Sequence, residues 1–418
     1  MKKFVFLIMI LFSVNILSAQ NANGNLTVWS FTDELHRMVD NYFNKAHPEI
    51  KIEYSQTYSD QFQRKLDPVL VLGRGAPDVF ILESAFVHKY IESGYLLDIT
   101  DIYEANKNKL LAYPVEVTTY NGKVYALTWQ ACPGAMFYRR SLAKKYLGTD
   151  DPVEVQEYFS DFIKFLETTE LINEKSNGKC VTVSSRKDLF IPFLFARTQP
   201  WVVNKRVAVD PVMEQFMDLS KTLYDYRLEG RLVQWSEGWF AGMRDELNNT
   251  DSKDGLTEVF SYFLPTWGLH YVLKTNAPQT SGDWAMIQGP SPYYWGGSWL
   301  CAWKDTQNPN AAKEFIRYLA TDNDFIEAWA KDTGDFVANT EVINKIRNNY
   351  AEPYLGNQKY YVAFSKIARS INGKLAQSTD EIIEEFFLEE VNNFIDGKKS
   401  KARALADFKS RAEKALGL

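Results

Sequence analysis

Between Asn25 and Gly94 two periodicities alternate, and that alternation narrows the folds open to this chain more than any other feature. "NLTVWSF" (Asn25 to Phe31) is a short apolar run that reads as a buried strand. Leu35, Met38, Val39, Tyr42 and Phe43 then recur at i, i+3, i+4, i+7 and i+8, the apolar stripe of one helix, until His47-Pro48 stops it. "IKIEY" alternates as the next strand. Ser59 is placed to cap a helix carrying Phe62, Leu66, Val69 and Leu70, which Gly73 ends. "PDVFIL" is a third strand, followed by a helix through Phe86, Val87, Tyr90 and Ile91 that stops at Gly94. Strand and helix in turn, with short connections, predict an α/β lobe with a largely parallel sheet.

Beyond this block the pattern changes twice. "GKVYALTW" and "AMFYRR" are consecutive strands separated by "QACPG", and from Pro152 to about Arg231 the chain is mostly helical, with Tyr158, Phe159, Phe162, Ile163 and Leu166 on one stripe. Asp210 before Pro211 opens a helix through Phe216, Leu219, Leu223 and Tyr224, and Asn308 before Pro309 opens another through Phe315, Ile316 and Leu319. The polar stretch Asn248 to Gly255 predicts a surface loop. A last amphipathic helix starts at Asp380, with Ile383, Phe386, Phe387, Val391, Phe394 and Ile395 on its apolar face. About four hundred residues exceed what one core ordinarily serves, and no linker or repeat interrupts them, so two lobes without a flexible tether are expected.

The first nineteen residues predict a leader. Lys2 and Lys3 precede an apolar run from Phe4 to Phe12, extended less purely to Leu17, and "SAQ" offers Ala19 as the small residue before a cut. The run is shorter than the roughly twenty apolar residues of a membrane span. No cysteine stands near the cut to take a lipid, so the expected location is the periplasm. Loss of Lys2 and Lys3 takes the formal charge from −6 to −8. An acidic chain without Lys/Arg blocks is a poor nucleic-acid binder. Cys132, Cys180 and Cys301 are too widely spaced for a zinc or redox motif, and buried apolar roles are expected for them.

Catalytic signatures are absent: the chain has no GxSxG, HExxH, P-loop or GxGxxG. His36, His47, His88 and His270 are scattered, with no pair at ligand spacing, so no metal, cofactor or catalytic residue is expected. Glu83, ending the "DVFILE" strand, and Glu237 in "WSEGW" are the acids that could serve glycoside hydrolysis, although hydrogen bonding or capping is their ordinary role. The positive signal is aromatic, at 15% of residues, and it peaks in "YYWGGSWLCAW" from Tyr293 to Trp303. Trp29 beside Ser30, Trp129 beside Gln130, Trp239 near Gly238, Trp284 after Gly282-Asp283, and Trp295 and Trp299 around Gly296-Gly297 all stand next to small or polar residues. Any one of them is at home in a core. Their recurrence at strand ends suits the apolar faces of sugar rings, with neighbouring polar groups on the hydroxyls. Trp303, alternating with Cys301 and Trp299, is expected to face a core.

Taken in order, "LTVWSF", "NKAHPEIKIEY", "APDVFILESAFVHKYIESGYLLDIT", "YNGKVYALTWQACPGAMFYRRSLAKKYLG", "GGSWLCAWKDTQNPNAAKEFIRYLAT", "TGDFVANTEVI" and "VNNFIDGKKSKARALADFKSRAEKAL" give the chain a resemblance to the extracellular solute-binding proteins of ABC importers, the sugar-binding family that includes maltose-binding protein. "SEGWFAGM" only approximates that family's G-x-x-A-M element, and "GDWAMIQGPSPYYWGGSW" is richer in aromatics than usual. The resemblance implies two α/β lobes, each a mostly parallel sheet flanked by helices: residues 20–132 with 290–335, and 133–289 with 336–418. Chain crossings are implied near Gln130–Gly134, Ile287–Pro290 and Gly334–Ala338. It implies a monomeric receptor that closes around a carbohydrate and meets the permease subunits of an ABC transporter. Trp29 and Ser30 would lie on the rim, Glu83 at the floor and Trp129 at the hinge. Trp239 and Trp284 would come from the second lobe, and Trp295, Gly296, Gly297 and Trp299 from the returning chain. Two other readings stay open: an exported glycoside hydrolase or lyase using Glu83 and Glu237, and the same fold holding a polyamine between carboxylates and aromatic walls.

Overall fold

The computed structural model describes residues 24–249 and 255–418. The expected leader and the centre of the polar stretch after Asn248 lie outside the described residues. Two sheets organise the chain. The first has the order Ile50–Gln56, Gly24–Ser30, Val79–Glu83, Ser298–Ala302, Ala126–Thr128. The second has the order Trp284–Ile287, Gly134–Arg139, Glu258–Pro265, Cys180–Val183. Each is flanked by helices, as the alternation predicts.

In each sheet all strands but one share a direction, as expected, and the exception is a strand that follows a lobe crossing. Gly24–Ser30 runs parallel to both of its neighbours, but Ser298–Ala302 is antiparallel to both of its own. In the second sheet Gly134–Arg139 is antiparallel to both of its neighbours, and Glu258–Pro265 and Cys180–Val183 are parallel. Periodicity identifies strands without revealing the direction in which they re-enter a sheet. Ser298–Ala302 comes back from the other lobe and threads between strands that ascend from the first, so it must run against them.

Three chain segments join the lobes and pair with one another. Ala131 N–H donates to the Phe336 carbonyl at 2.8 Å, and Ala338 N–H to the Trp129 carbonyl at 2.8 Å. On the other side Gly134 N–H reaches the Tyr293 carbonyl at 2.7 Å, and Trp295 N–H the Cys132 carbonyl at 3.1 Å. The second crossing therefore passes through Tyr293–Trp295, slightly later than Ile287–Pro290.

Local signals hold unevenly. The helix Ser59–Leu72 ends at Gly73 in the left-handed conformation, and Asp210 accepts from Val212 N–H to cap Pro211–Asp225. Ser59 is instead the first helical residue, and Asn308 makes no cap because its amide donates to the Asn25 carbonyl at 3.0 Å. The stripe from Leu35 to Phe43 is helical but passes through a π-turn at Val39–Phe43. All three cysteines are buried and free, and burial raises each thiol's pKa.

Trp299 belongs to this framework. It is 2% exposed, pairs with Leu82 and Thr128, and donates its indole N–H to the Pro114 carbonyl at 3.1 Å. Truncating a packed indole costs about 3–5 kcal/mol. Trp299→Ala is therefore expected to lose stability on that scale in guanidinium unfolding; a loss below about 1 kcal/mol would place the side chain outside the core.

Candidate functional site

A cavity of about 350 Å³ opens between the lobes, beside the crossing Tyr293–Trp295. Glu83, Ser84, Ala85 and His88 line it from the first lobe. Phe195 and Arg197 approach from the second, as do Gln377, Asp380, Glu381 and Glu384; Tyr294, Trp295 and Gly296 form the wall between.

Glu83 is delivered by the end of its strand, where the chain turns toward the helix Val87–Glu92. Its carboxylate accepts from Ser84 Oγ at 2.7 Å and from Ala85 N–H at 2.9 Å. Burial nevertheless raises its pKa, and repulsion from Glu381 adds to the rise. Gly296 makes the wall possible. Its φ is +74°, and a Cβ there would lie 2.9 Å from Trp267 Nε1 and 3.8 Å from Glu83 Oε1. Next to it, Gly297 has φ +119°, and its Cβ would meet the Trp299 ring at 2.7 Å. Both positions need glycine for backbone conformation and for space.

The aromatic wall extends outward. Phe195 lies 4.4 Å from Tyr294 between ring centroids, and Trp295 meets the edge of Trp267 at 5.3 Å. Trp267 Nε1 donates to the Trp295 carbonyl at 3.1 Å. Trp235 completes this group at 6.3 Å from both indoles; it is 49% exposed.

The opposite side is acidic. Burial, then repulsion from Asp380, pushes Glu384 up to about 8. Burial likewise pushes Asp380 up to about 6, against the pull of Arg197 and of Gln377 N–H. Arg197 is 7% exposed; its Nε donates to the Leu194 carbonyl at 2.8 Å and its guanidinium lies 4.7 Å from the Trp201 ring centre. Burial lowers the pKa of both Arg197 and His88. Arg197 Nη1, Asp380 Oδ1 and both ring nitrogens of His88 are buried without a hydrogen-bond partner. Such groups cost free energy unless something bonds to them.

Of the residues singled out in the sequence, the cavity gathers Glu83, Trp295 and Gly296, with Gly297 one step behind. Trp129, Trp239, Trp284 and Trp299 are all interior side chains with at most 2% exposure. Trp284 donates to Thr280 Oγ1 at 2.8 Å and Trp239 packs on Tyr262 within the second lobe, so neither shows a face to the cavity. Trp29 is half-buried beneath the Lys65 ammonium, 4.3 Å from its ring centre, and Ser30 is buried, accepting from Thr32 N–H at 3.0 Å. Trp303 is half-buried and packs against the core, as expected, with its indole nitrogen buried. Glu237 is bound to Arg244 and does not line the cavity with Glu83. Sequence reasoning passed over Phe195, Arg197, Asp380, Glu381 and Glu384. "DEIIEE" looks like the solvated start of a helix, and only the packing of the lobes sets it opposite Glu83.

The family model of the bacterial extracellular solute-binding proteins matches residues 38–352. An arabinooligosaccharide-binding protein of Bacillus subtilis (strain 168) is 24% identical over 175 residues, which is 40% of this chain and 40% of that protein's length. Among solved structures, an extracellular solute-binding protein of family 1 superposes with a TM-score of 0.80 at 20% identity, covering 94% of this chain and 99% of that one. The sugar-binding protein MalE of Xanthomonas citri gives 0.76 at 15% identity, over 94% and 97% of the two chains. The galacto-N-biose/lacto-N-biose I-binding protein of a Bifidobacterium longum ABC transporter, solved with lacto-N-biose, gives 0.71 at 18%, over 95% and 98%. At these identities the structural likenesses establish the two-lobed fold.

The half-buried acids Asp380 and Glu384 make stability depend on pH. A carboxyl whose pKa is raised by folding contributes fully below its unfolded value, near 4. The contribution is lost as pH rises through the folded values of about 6 for Asp380 and about 8 for Glu384. The unliganded protein should therefore melt progressively lower between about pH 5 and 8, and Glu384→Gln should flatten the upper part of that decline. An identical profile in wild type and variant would move the source elsewhere.

Proposed function

Because the chain belongs to the bacterial extracellular solute-binding proteins, we propose that it is a periplasmic receptor that encloses a saccharide between its lobes and delivers it to the permease of an ABC importer. The family and fold are those of binding proteins. The single observation behind the saccharide is the cavity itself. Trp295 and Tyr294 line it beside unpartnered buried groups of both kinds, a donor on Arg197 and an acceptor on Asp380. A sugar ring presents the complement: an apolar face, and hydroxyls that both donate and accept. The sugars and oligosaccharides named for the similar proteins support the same reading. Carboxylates beside the aromatic wall also meet the requirement of a polyamine, which makes polyamines the control ligands.

Closure has a physical basis in bonds that span the lobes. Tyr271 hydroxyl donates to Glu34 Oε1 at 2.6 Å, Ser378 Oγ to Glu92 Oε2 at 2.6 Å, and Gly373 N–H to Glu116 Oε2 at 3.1 Å. A ligand favours this arrangement only by binding it better than an open one. Export with cleavage near residue 19 and a monomeric state complete the proposal. Retention of the chain in detergent-extracted membranes alone, or release of product from labelled oligosaccharides, would contradict it.

A panel of oligosaccharides and polyamines screened by thermal shift identifies the ligand. With that ligand, solution scattering should show a smaller radius of gyration at saturation; an unchanged profile would argue against hinge closure. Trp295→Ala should weaken binding by about 2 kcal/mol, roughly thirtyfold, as truncation of an aromatic anchor does. Calorimetry that finds unchanged affinity in this variant would remove Trp295 from the stacking wall.

A further inference from the structure

The aromatic wall and the mixed donors and acceptors account for a polyol, but they leave the charge of the cavity unexplained. Among the described residues that line it, Glu83, Asp380, Glu381 and Glu384 are carboxylates and Arg197 is the one guanidinium. Three of the acids come from the first turns of the helix Asp380–Ile395, and Glu83 faces them from the other lobe. Arg197 is one positive charge set against these four acids. Its Nε is committed to a backbone carbonyl, its guanidinium carbon lies over the Trp201 ring, and its Nη1 finds no partner. One oxygen of Asp380 accepts from Gln377 N–H at 3.0 Å, while the other is buried and unbonded. Closing the lobes over a neutral ligand withdraws water from these carboxylates and strengthens their mutual repulsion. A cationic group on the ligand would relieve that repulsion and form charge-assisted hydrogen bonds.

We infer that the ligand is an amine-bearing saccharide, with a protonated amino group among Asp380, Glu381 and Glu384 and hydroxyls on Arg197, His88 and Glu83. This rests on the saccharide reading above and narrows it. The charged and titratable surroundings are Glu83, His88 and Glu92 from the first lobe, and Arg197, Asp380, Glu381 and Glu384 from the second, with Asp210 behind Arg197. In the unliganded protein burial keeps a proton on Glu384 near neutral pH, while Asp380, pushed up to about 6, holds one only in part. An ammonium group must drive such protons off as it binds, whereas a hydroxyl in its place need not.

Matched ligands separate the possibilities. Glucosamine and its β-1,4 dimer and trimer differ from glucose, cellobiose and cellotriose only in the amino group that replaces each C2 hydroxyl, and galactosamine and galactose form a further pair. Calorimetry on the purified protein at about pH 6.5, in two buffers of different ionisation enthalpy, reads both affinity and proton release. At least one amino member should bind about tenfold or more tighter than its neutral counterpart, with net release of protons. Asp380→Asn and Glu384→Gln, each first shown to be folded by thermal melting, should shrink that preference, the amino member losing more affinity than its neutral counterpart. Neutral sugars binding as tightly as their amino counterparts would overturn the inference and leave the saccharide receptor standing. Failure of every saccharide to bind, or binding of spermidine alone, would overturn both.

Discussion

The pairing of the crossing segments is the constraint on which the rest of this structure depends. Residues 129–134 lie between 336–338 on one side and 293–295 on the other, and backbone hydrogen bonds run to both. That ribbon ties the two lobes together at several points. It also explains the one reversed strand in each sheet, Ser298–Ala302 and Gly134–Arg139, since each follows a crossing and enters its sheet against the local direction. The same ribbon carries Tyr294, Trp295 and Gly296 to the edge of the cavity, which makes the joint between the lobes part of the site.

The cavity works through burial more than through any single residue. Glu83, Asp380 and Glu384 are ordinary acids whose pKa values rise because the lobes exclude water around them and bring them near one another. Arg197 is pushed the opposite way by the same desolvation. A site assembled from two lobes can thus store unsatisfied polar groups at the price of some stability, and bonding to a solute offsets that cost.

Tryptophan illustrates how far composition can be read. A residue rich in apolar surface with one N–H donor suits a sugar wall and a protein interior equally well. Trp299 and Trp284 find acceptors inside, at the Pro114 carbonyl and Thr280 Oγ1, whereas Trp295 is held by its backbone and left half-exposed. Nothing in the neighbouring letters separates these cases. Gly296 and Gly297 were the better signal, because close approach and positive φ are demands that a sequence records directly.

The order of strands and helices from Gly24 to Glu92, the helix end at Gly73 and the cap at Asp210 were all legible along the chain, because each depends on residues within a few positions of one another. So was Glu83, since strand ends are where α/β folds open toward ligands. Strand direction after a lobe crossing, the interior fate of four tryptophans and the meeting of Glu83 with Asp380, Glu381 and Glu384 were not. Those acids are separated from Glu83 by some three hundred residues. Local propensity cannot encode which distant surfaces will exclude water from each other, and it is that exclusion which turns a solvated helix start into one wall of the cavity.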